Sequence, residues 1–210
     1  MLILLVLGVV FLAIALGIWY FKKKYYQEFV FTEKTFEPSV YYYKDTKMHY
    51  HNLLPVYATL DDLFKEFQLT KSAKKLCIFF DSPVKVENPE LCRSCIGFIA
   101  DRKLTEDEEK QIKESGYKKA EFTSWKGVTT QMPSADRIAV VFGTMRAYPA
   151  LFKYVGSNKH KYGPIANTPV IEIHGERSIT YSFPIGEEKK MFLLTNFPKP
   201  KEKQVKSKTD

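Results

Sequence analysis

Charge is missing from the start of the chain: no Asp, Glu, Lys or Arg occurs between Met1 and Phe21. The run is Leu, Ile, Val, Phe, Ala and Gly, closing on Ile18, Trp19, Tyr20 and Phe21. At about 1.5 Å per helical residue it spans roughly 30 Å, the hydrocarbon thickness of a bilayer. Trp19 and Tyr20 stand where an aromatic belt belongs, and Lys22, Lys23 and Lys24 follow directly. Residues 1–21 therefore read as a single transmembrane helix, and the positive-inside bias places everything after Phe21 in the cytosol. The alternative is a cleaved signal peptide, with Ala13-Ile14-Ala15 as a small-x-small site. The lack of a basic n-region and the apolar residues continuing past Ala15 to the lysines argue against it.

Cysteine is scarce and odd in number: Cys77, Cys92 and Cys95. Three thiols suit a reducing compartment better than a disulfide framework. Cys92-Arg93-Ser94-Cys95 has half-site spacing for zinc, but no second pair matches it among Cys77, His49, His51, His160 and His174, so no metal site is assigned. There is also no Gly-x-Ser-x-Gly elbow, no phosphate-binding Gly-rich loop and no His-Glu-x-x-His, so nothing marks an enzyme. Haem binding would need an axial ligand such as His174 or His49, and both read as ordinary histidines. No cofactor is expected.

Just under 190 residues follow the anchor, enough for one domain with a real core. Aromatics make up 15% of the chain, which argues for packing rather than disorder. The net charge is +8, from 32 Lys+Arg against 24 Asp+Glu. A tethered basic domain is drawn to anionic headgroups by about 1 kcal/mol per nearby lysine. Nucleic acid would attract the same charge, but the anchor and the lack of recognisable nucleic-acid motifs make direct binding of it the weaker reading.

Residues 22–38 read as a juxtamembrane stalk ended by Pro38. Val40–Tyr43 reads as the first strand. Thr59 caps a helix whose Leu60, Leu63, Phe64 and Phe67 share a face, and Leu76–Phe80 and Leu91–Ala100 are the next strands. Residues 101–115 form a solvated insertion, with a Thr105/Glu108 capping box and Gly116 as its stop. Tyr117–Thr123 is an edge strand. The pattern then repeats. Val128–Met132 is a strand, Ser134 caps a helix through Ile138, Val141, Phe142 and Met145, and Pro149 opens a second piece with Leu151, Phe152 and Val155. Val170–His174 and Ser178–Phe183 form a hairpin about Gly175-Glu176. Two strand-helix-strand-strand units predict an α+β fold over 39–196, a curved antiparallel sheet with both helices on one face and the opposite face concave. The Lys- and Pro-rich tail, 197–210, is expected to be disordered.

This duplicated plan resembles the GyrI-like (SOUL-like) fold, the likeness resting on Tyr148-Pro149-Ala150-Leu151-Phe152-Lys153-Tyr154 and Val170-Ile171-Glu172-Ile173. With the anchor, Cys77–Pro83, Asn88–Ile99 and Tyr148–Ile185 added, the chain is similar to the testis-expressed protein 264 family of membrane-anchored GyrI-like proteins. That resemblance implies a single-pass endoplasmic reticulum protein with a cytosolic domain. It implies a receptor in selective autophagy of that organelle (reticulophagy), with Atg8-family proteins as partners, and an adaptor for the p97 unfoldase in protein–DNA crosslink repair. Receptors of the family carry an aromatic-x-x-aliphatic motif in a long acidic tail. Here the tail is short and basic, and the available matches are Tyr50-His51-Asn52-Leu53 and Tyr57-Ala58-Thr59-Leu60.

The alternative function is binding of a small cationic or hydrophobic molecule. Val170, Glu172 and His174 share one face of their strand, and Ile171 and Ile173 the other. If the isoleucines meet the helices, Glu172 faces the concave surface. The resemblance implies a cleft glutamate that neutralises a cationic ligand, and Tyr41 and Tyr43 of the first strand are candidates for its aromatic neighbours.

Overall fold

The computed structural model describes residues 2–26, 28–70, 72–132, 141, 143–163, 165 and 168–203, with backbone only for 2–5, 24 and 144. The chain runs α1 (Leu2–Tyr25), β1 (Thr32–Phe36), β2 (Ser39–Lys47), a 3-10 turn (Tyr50–Leu53), α2 (Leu54–Glu66), β3 (Lys74–Phe79) and β4 (Arg93–Ile99). It continues through α3 (Glu106–Glu114), β5 (Lys118–Phe122), β6 (Trp125–Met132), a π-helical turn (Gly143–Ala147), α4 (Tyr148–Ser157) and α5 (Lys159–Tyr162). A hairpin of β7 (Val170–His174) and β8 (Ile179–Ile185) and a 3-10 turn (Glu187–Phe192) complete it.

Among the described residues, eight strands join one antiparallel sheet in the order β1-β6-β8-β7-β3-β4-β2-β5. The order β6-β8-β7 on one side mirrors β2-β4-β3 on the other, and the halves meet where Cys77 of β3 opposes Glu172 of β7. The strand-helix-strand-strand duplication expected from the sequence is therefore the architecture. Polar, charged strands close both edges, β1 with Glu33 and Lys34 and β5 with Lys118, Lys119 and Glu121, and such edges resist pairing with a second sheet.

One face of the sheet carries the helices. Leu60, Leu63 and Phe67 of α2 pack on Tyr42, Cys77, Ile96 and Phe98. Leu151 and Val155 of α4 pack on Val128, Met132, Ile179, Tyr181 and Phe183. The other face is covered as well: Phe192 and its turn sit on Tyr41, Leu76, Ile78, Phe122, Trp125 and Ile171. Each such side chain contributes roughly 1.5–3 kcal/mol by burial, so both faces stabilise the sheet.

Several local expectations shift. α2 begins at Leu54 with Pro55 in its first turn, and the Thr59 hydroxyl bonds back to the Val56 carbonyl instead of capping. The sheet begins at Thr32, inside the segment read as stalk. Residues 197–203 do not hang free. Val86 bridges Glu202, the Glu87 amide bonds to the Lys201 carbonyl, and the Lys203 amide to the Lys85 carbonyl. Residues 204–210 and the Ser134 cap lie outside the described residues, as do Ile138 and Phe142. α3 keeps its capping box, with Thr105 and Glu108 bonding reciprocally and Gly116 at φ 83° as its stop.

All three cysteines are free and buried. Burial pushes the thiols of Cys77 and Cys95 far up, and that of Cys92 up to about 11. Since the thiolate is the nucleophile, the native protein at pH 8 should react with iodoacetamide far more slowly than the urea-unfolded chain. A thiol that reacts equally fast in both states would contradict this packing.

Candidate functional site

β7 lies at the centre of the sheet, buried on both faces, and its alternation sends Ile171 and Ile173 to the face under Phe192. Glu172 and His174 therefore point to the helical face. This corrects the expectation that the isoleucines would meet the helices. Glu172 lies on the face opposite the one that Phe192 covers. Tyr41 and Tyr43 also belong to the opposite face, with the Tyr41 hydroxyl 2.9 Å from the carbonyl oxygens of both Leu76 and Cys95. They stabilise the sheet and do not join Glu172.

Other residues surround the carboxylate. The Tyr148 hydroxyl, at the start of α4, donates to Glu172 Oε1 at 2.5 Å. His174 Nε2 lies 2.9 Å from Oε2. The Tyr57 ring of α2 stands 5.7 Å from the His174 ring, and Cys77 opposes Glu172 across the β3–β7 ladder. Across the ladder, Tyr181 opposes Glu172 on β8, and Thr130 opposes Tyr181 on β6. The rings of Tyr148 and Tyr181 meet edge to face at 5.4 Å. Glu172 is thus a carboxylate with 4% of its side chain exposed, walled by three tyrosines, a histidine and a thiol.

Burial raises Tyr57, Tyr148, Tyr181 and Cys77 above their ordinary values. For Tyr148, Tyr181 and Cys77 the next cause is the negative charge of Glu172, and for Tyr57 that charge adds to the charge of Cys77. All four stay neutral near pH 7, and Glu172 is the carboxylate they surround. A carboxylate removed from water costs several kcal/mol unless a cation or strong donors compensate it. Here a phenol and an imidazole do so.

Two buried hydroxyls at this site, Tyr181 Oη and Thr130 Oγ1, have no hydrogen-bond partner among the described residues. Buried polar groups are nearly always paired, so two such exceptions side by side call for a reason. The π-helical turn Gly143–Ala147 closes over the Tyr181 hydroxyl. A Cβ on Gly143 would fall 1.6 Å from Tyr181 Oη, so only glycine lets this turn approach. Single π turns inside helices are frequent at functional sites. A surface depression of about 600 Å³ beside α2, lined by Asp61, Phe64, Lys65, Gln68 and Leu69, involves none of these groups.

The two tetrapeptides read as partner motifs take other roles. Tyr50 begins a 3-10 turn, and its hydroxyl lies 2.9 Å from the Asp81 carbonyl oxygen and 3.0 Å from that of Arg93. Leu53 and Leu60 are buried, and Tyr57 lies on α2 with its ring beside His174. Strand addition needs an extended, accessible segment, and neither tetrapeptide presents one in the folded domain.

Sequence reasoning missed Tyr148, Tyr181, Thr130 and Gly143, and named Tyr57 for another purpose. Tyr181 was within reach. A hairpin closing at His174 and Ile179 puts residue 181 opposite residue 172 by counting alone. Tyr148 and Gly143 reach the site from another layer, which local periodicity does not report.

No family model matches the chain, and no curated protein matches it. Solved structures do. An uncharacterized conserved protein from Listeria innocua superposes with TM-score 0.50 at 10% identity, over 79% of this chain and 96% of that one. The C-terminal domain of EcmrR gives 0.49 at 15%, over 76% and 99%, and SAV2435 bound to tetraphenylphosphonium 0.46 at 10%, over 78% and 97%. At such identities the likeness concerns the fold alone, which is the GyrI-like α+β fold with an apolar helix before it.

Proposed function

We propose that this chain is a membrane-anchored receptor for a small apolar cation, with Glu172 as the counter-charge and Tyr57, Tyr148 and Tyr181 as the aromatic walls. The observation that carries the reading is the buried carboxylate itself, set among aromatic rings and beside two hydroxyls that have no partner among the described residues. A cation over aromatic rings gains about 0.5–2 kcal/mol, and its attraction to a desolvated carboxylate adds to that. Tyr148 occupies one carboxylate oxygen and acts as the gate, so the ligand enters as the π-helical turn moves its hydroxyl aside. The Cys77 thiol is pushed up rather than down, the reverse of an activated nucleophile, which favours binding over covalent chemistry.

α1 supports the anchoring part. It is one helix long and apolar enough to cross a membrane, and residues Val6–Lys23 bury nothing against the domain. A helix apolar all round and unburied by protein belongs in lipid. The cytosolic orientation rests on Lys22–Lys24. The endoplasmic reticulum, Atg8-family and p97 roles implied by the sequence resemblance have no counterpart in the geometry of this site, so the ligand reading stands first.

Thermal-shift screening of lipophilic cations tests it. At a hundredfold excess over Kd a ligand stabilises by about 2.7 kcal/mol, a rise of roughly 5–10 °C for a domain of this size. Wild type should show that rise and Glu172→Gln should lose it. Equal responses from the two proteins would refute the assignment.

A further inference from the structure

The π-helical turn that gates Glu172 also grips the end of the apolar helix. Arg146 donates to the carbonyl of Tyr25, the last residue of α1. Its guanidinium stands over the Tyr26 ring at 4.6 Å and the Phe29 ring at 5.2 Å. Tyr25 is buried in the same core cluster as Ala147, Leu151 and Val155. The domain is thus clamped to its anchor without a free tether.

That clamp fixes a height. Phe21 ends the uncharged run, and Tyr25 lies four residues, about 6 Å, beyond it along the helix. If α1 spans the bilayer, Tyr25 and Arg146 sit at headgroup depth. Large apolar side chains at this end of the domain are left open: Met145 is 69% exposed, Val141 55% and Val30 74%. Met145 adjoins the clamping arginine, Val141 precedes that arginine by five residues, and Val30 follows Phe29 in the chain. Apolar residues beside Tyr26, Arg146, Lys22 and Lys23 have the composition of a surface lying in the headgroup–acyl boundary, where aromatic and basic groups reach the headgroups.

We infer that the face bearing Val30, Val141 and Met145 rests in the headgroup layer of the bilayer that α1 crosses, so that the gate over Glu172 lies at the membrane surface. The occupant of the face is lipid. The inference rests on the anchoring part of the proposed function and not on the ligand.

The test uses the full chain in vesicles of phosphatidylcholine and phosphatidylserine. An environment-sensitive thiol dye is attached to Met145→Cys, to Val30→Cys as a second position on the face, and to Val84→Cys as an exposed control on the loop after β3. The native thiols are buried, so the introduced one labels selectively. Dye at residues 145 and 30 should emit to the blue of dye at 84 and be quenched by nitroxide-bearing lipid. Emission at 145 and 30 matching that at 84, in protein that resists alkaline carbonate extraction, overturns the docking while leaving the anchor intact. Release of the protein by carbonate overturns the anchor and the docking together.

Discussion

Arg93→Ala should destabilise the domain by about 3–5 kcal/mol, seen as a large fall in the urea midpoint with little change in slope. Arg93 meets Asp81 through two parallel bonds, Nε to Oδ2 and Nη2 to Oδ1, both 2.8 Å. The side chains are 14% and 2% exposed, so truncating the arginine strands a carboxylate that water cannot reach. The loss spreads further, because this pair ties distant segments together. The Arg93 amide also bonds to Asp81, the guanidinium reaches the Phe197 carbonyl, and Tyr50 spans the main chains of residues 81 and 93. Removing both charges at once, as Asp81→Leu with Arg93→Met, should recover most of the stability, since well-packed apolar pairs often replace buried ion pairs at little loss. An Arg93→Ala variant as stable as wild type would show that the pair is solvated and peripheral.

Gly143→Ala should be the next most damaging change, at about 2–3 kcal/mol, the range for inserting a methyl group where no space exists. The new Cβ would lie 1.6 Å from Tyr181 Oη and 2.5 Å from Cζ, so the π-helical turn must lift. Tyr148 follows directly on that turn, and lifting it draws the Tyr148 hydroxyl away from Glu172. Tyr181→Phe alone should be neutral or slightly stabilising, because its hydroxyl is buried without a partner among the described residues. Combined with Gly143→Ala it removes the nearest clashing atom. The double variant should regain about 1 kcal/mol relative to the sum of the singles, as contacting residues do. Strict additivity in a urea double-mutant cycle would mean that the turn does not rest on this hydroxyl.

Much of the fold was legible because its signals are local. Val170–His174 reads as a strand from its β-branched residues and was found at those bounds. The α3 box Thr105/Glu108 and its stop at Gly116 are set by neighbouring residues, and the structure holds them. The duplicated order predicted one antiparallel sheet, and the strand order within it came from the structure. Other elements gave no local signal. Thr32–Phe36 has the polar composition of an edge strand and so reads as a linker. Only its pairing with Trp125–Thr129 makes it a strand. The start of α2 was misread because Thr59 resembles a cap, while Pro55 at the true first turn is the stronger mark.

The site was legible only in part. Glu172 stood out as a charge within an apolar strand, but its direction depended on which face the helices cover. Alternation cannot decide that for a strand buried on both sides. The turn carrying Phe192 covers the isoleucine face and so assigns the glutamate to the helices. Tyr41 and Tyr43 were grouped with Glu172 by composition, and the pleat separated them. Tyr148, at the start of α4, reaches Glu172 through tertiary packing alone.

Calorimetric titration of one lipophilic cation into wild type, Tyr148→Phe and Glu172→Gln tests the role of Glu172 most directly. Losing the counter-charge should weaken binding at least about tenfold, or 1.4 kcal/mol. Freeing the carboxylate from the tyrosine hydroxyl should strengthen binding by a similar factor, since hydrogen bonds to charged groups are worth about 1.5–3 kcal/mol. The expected order of affinity is Tyr148→Phe, then wild type, then Glu172→Gln. Equal affinity in wild type and Glu172→Gln would contradict a receptor built around this carboxylate.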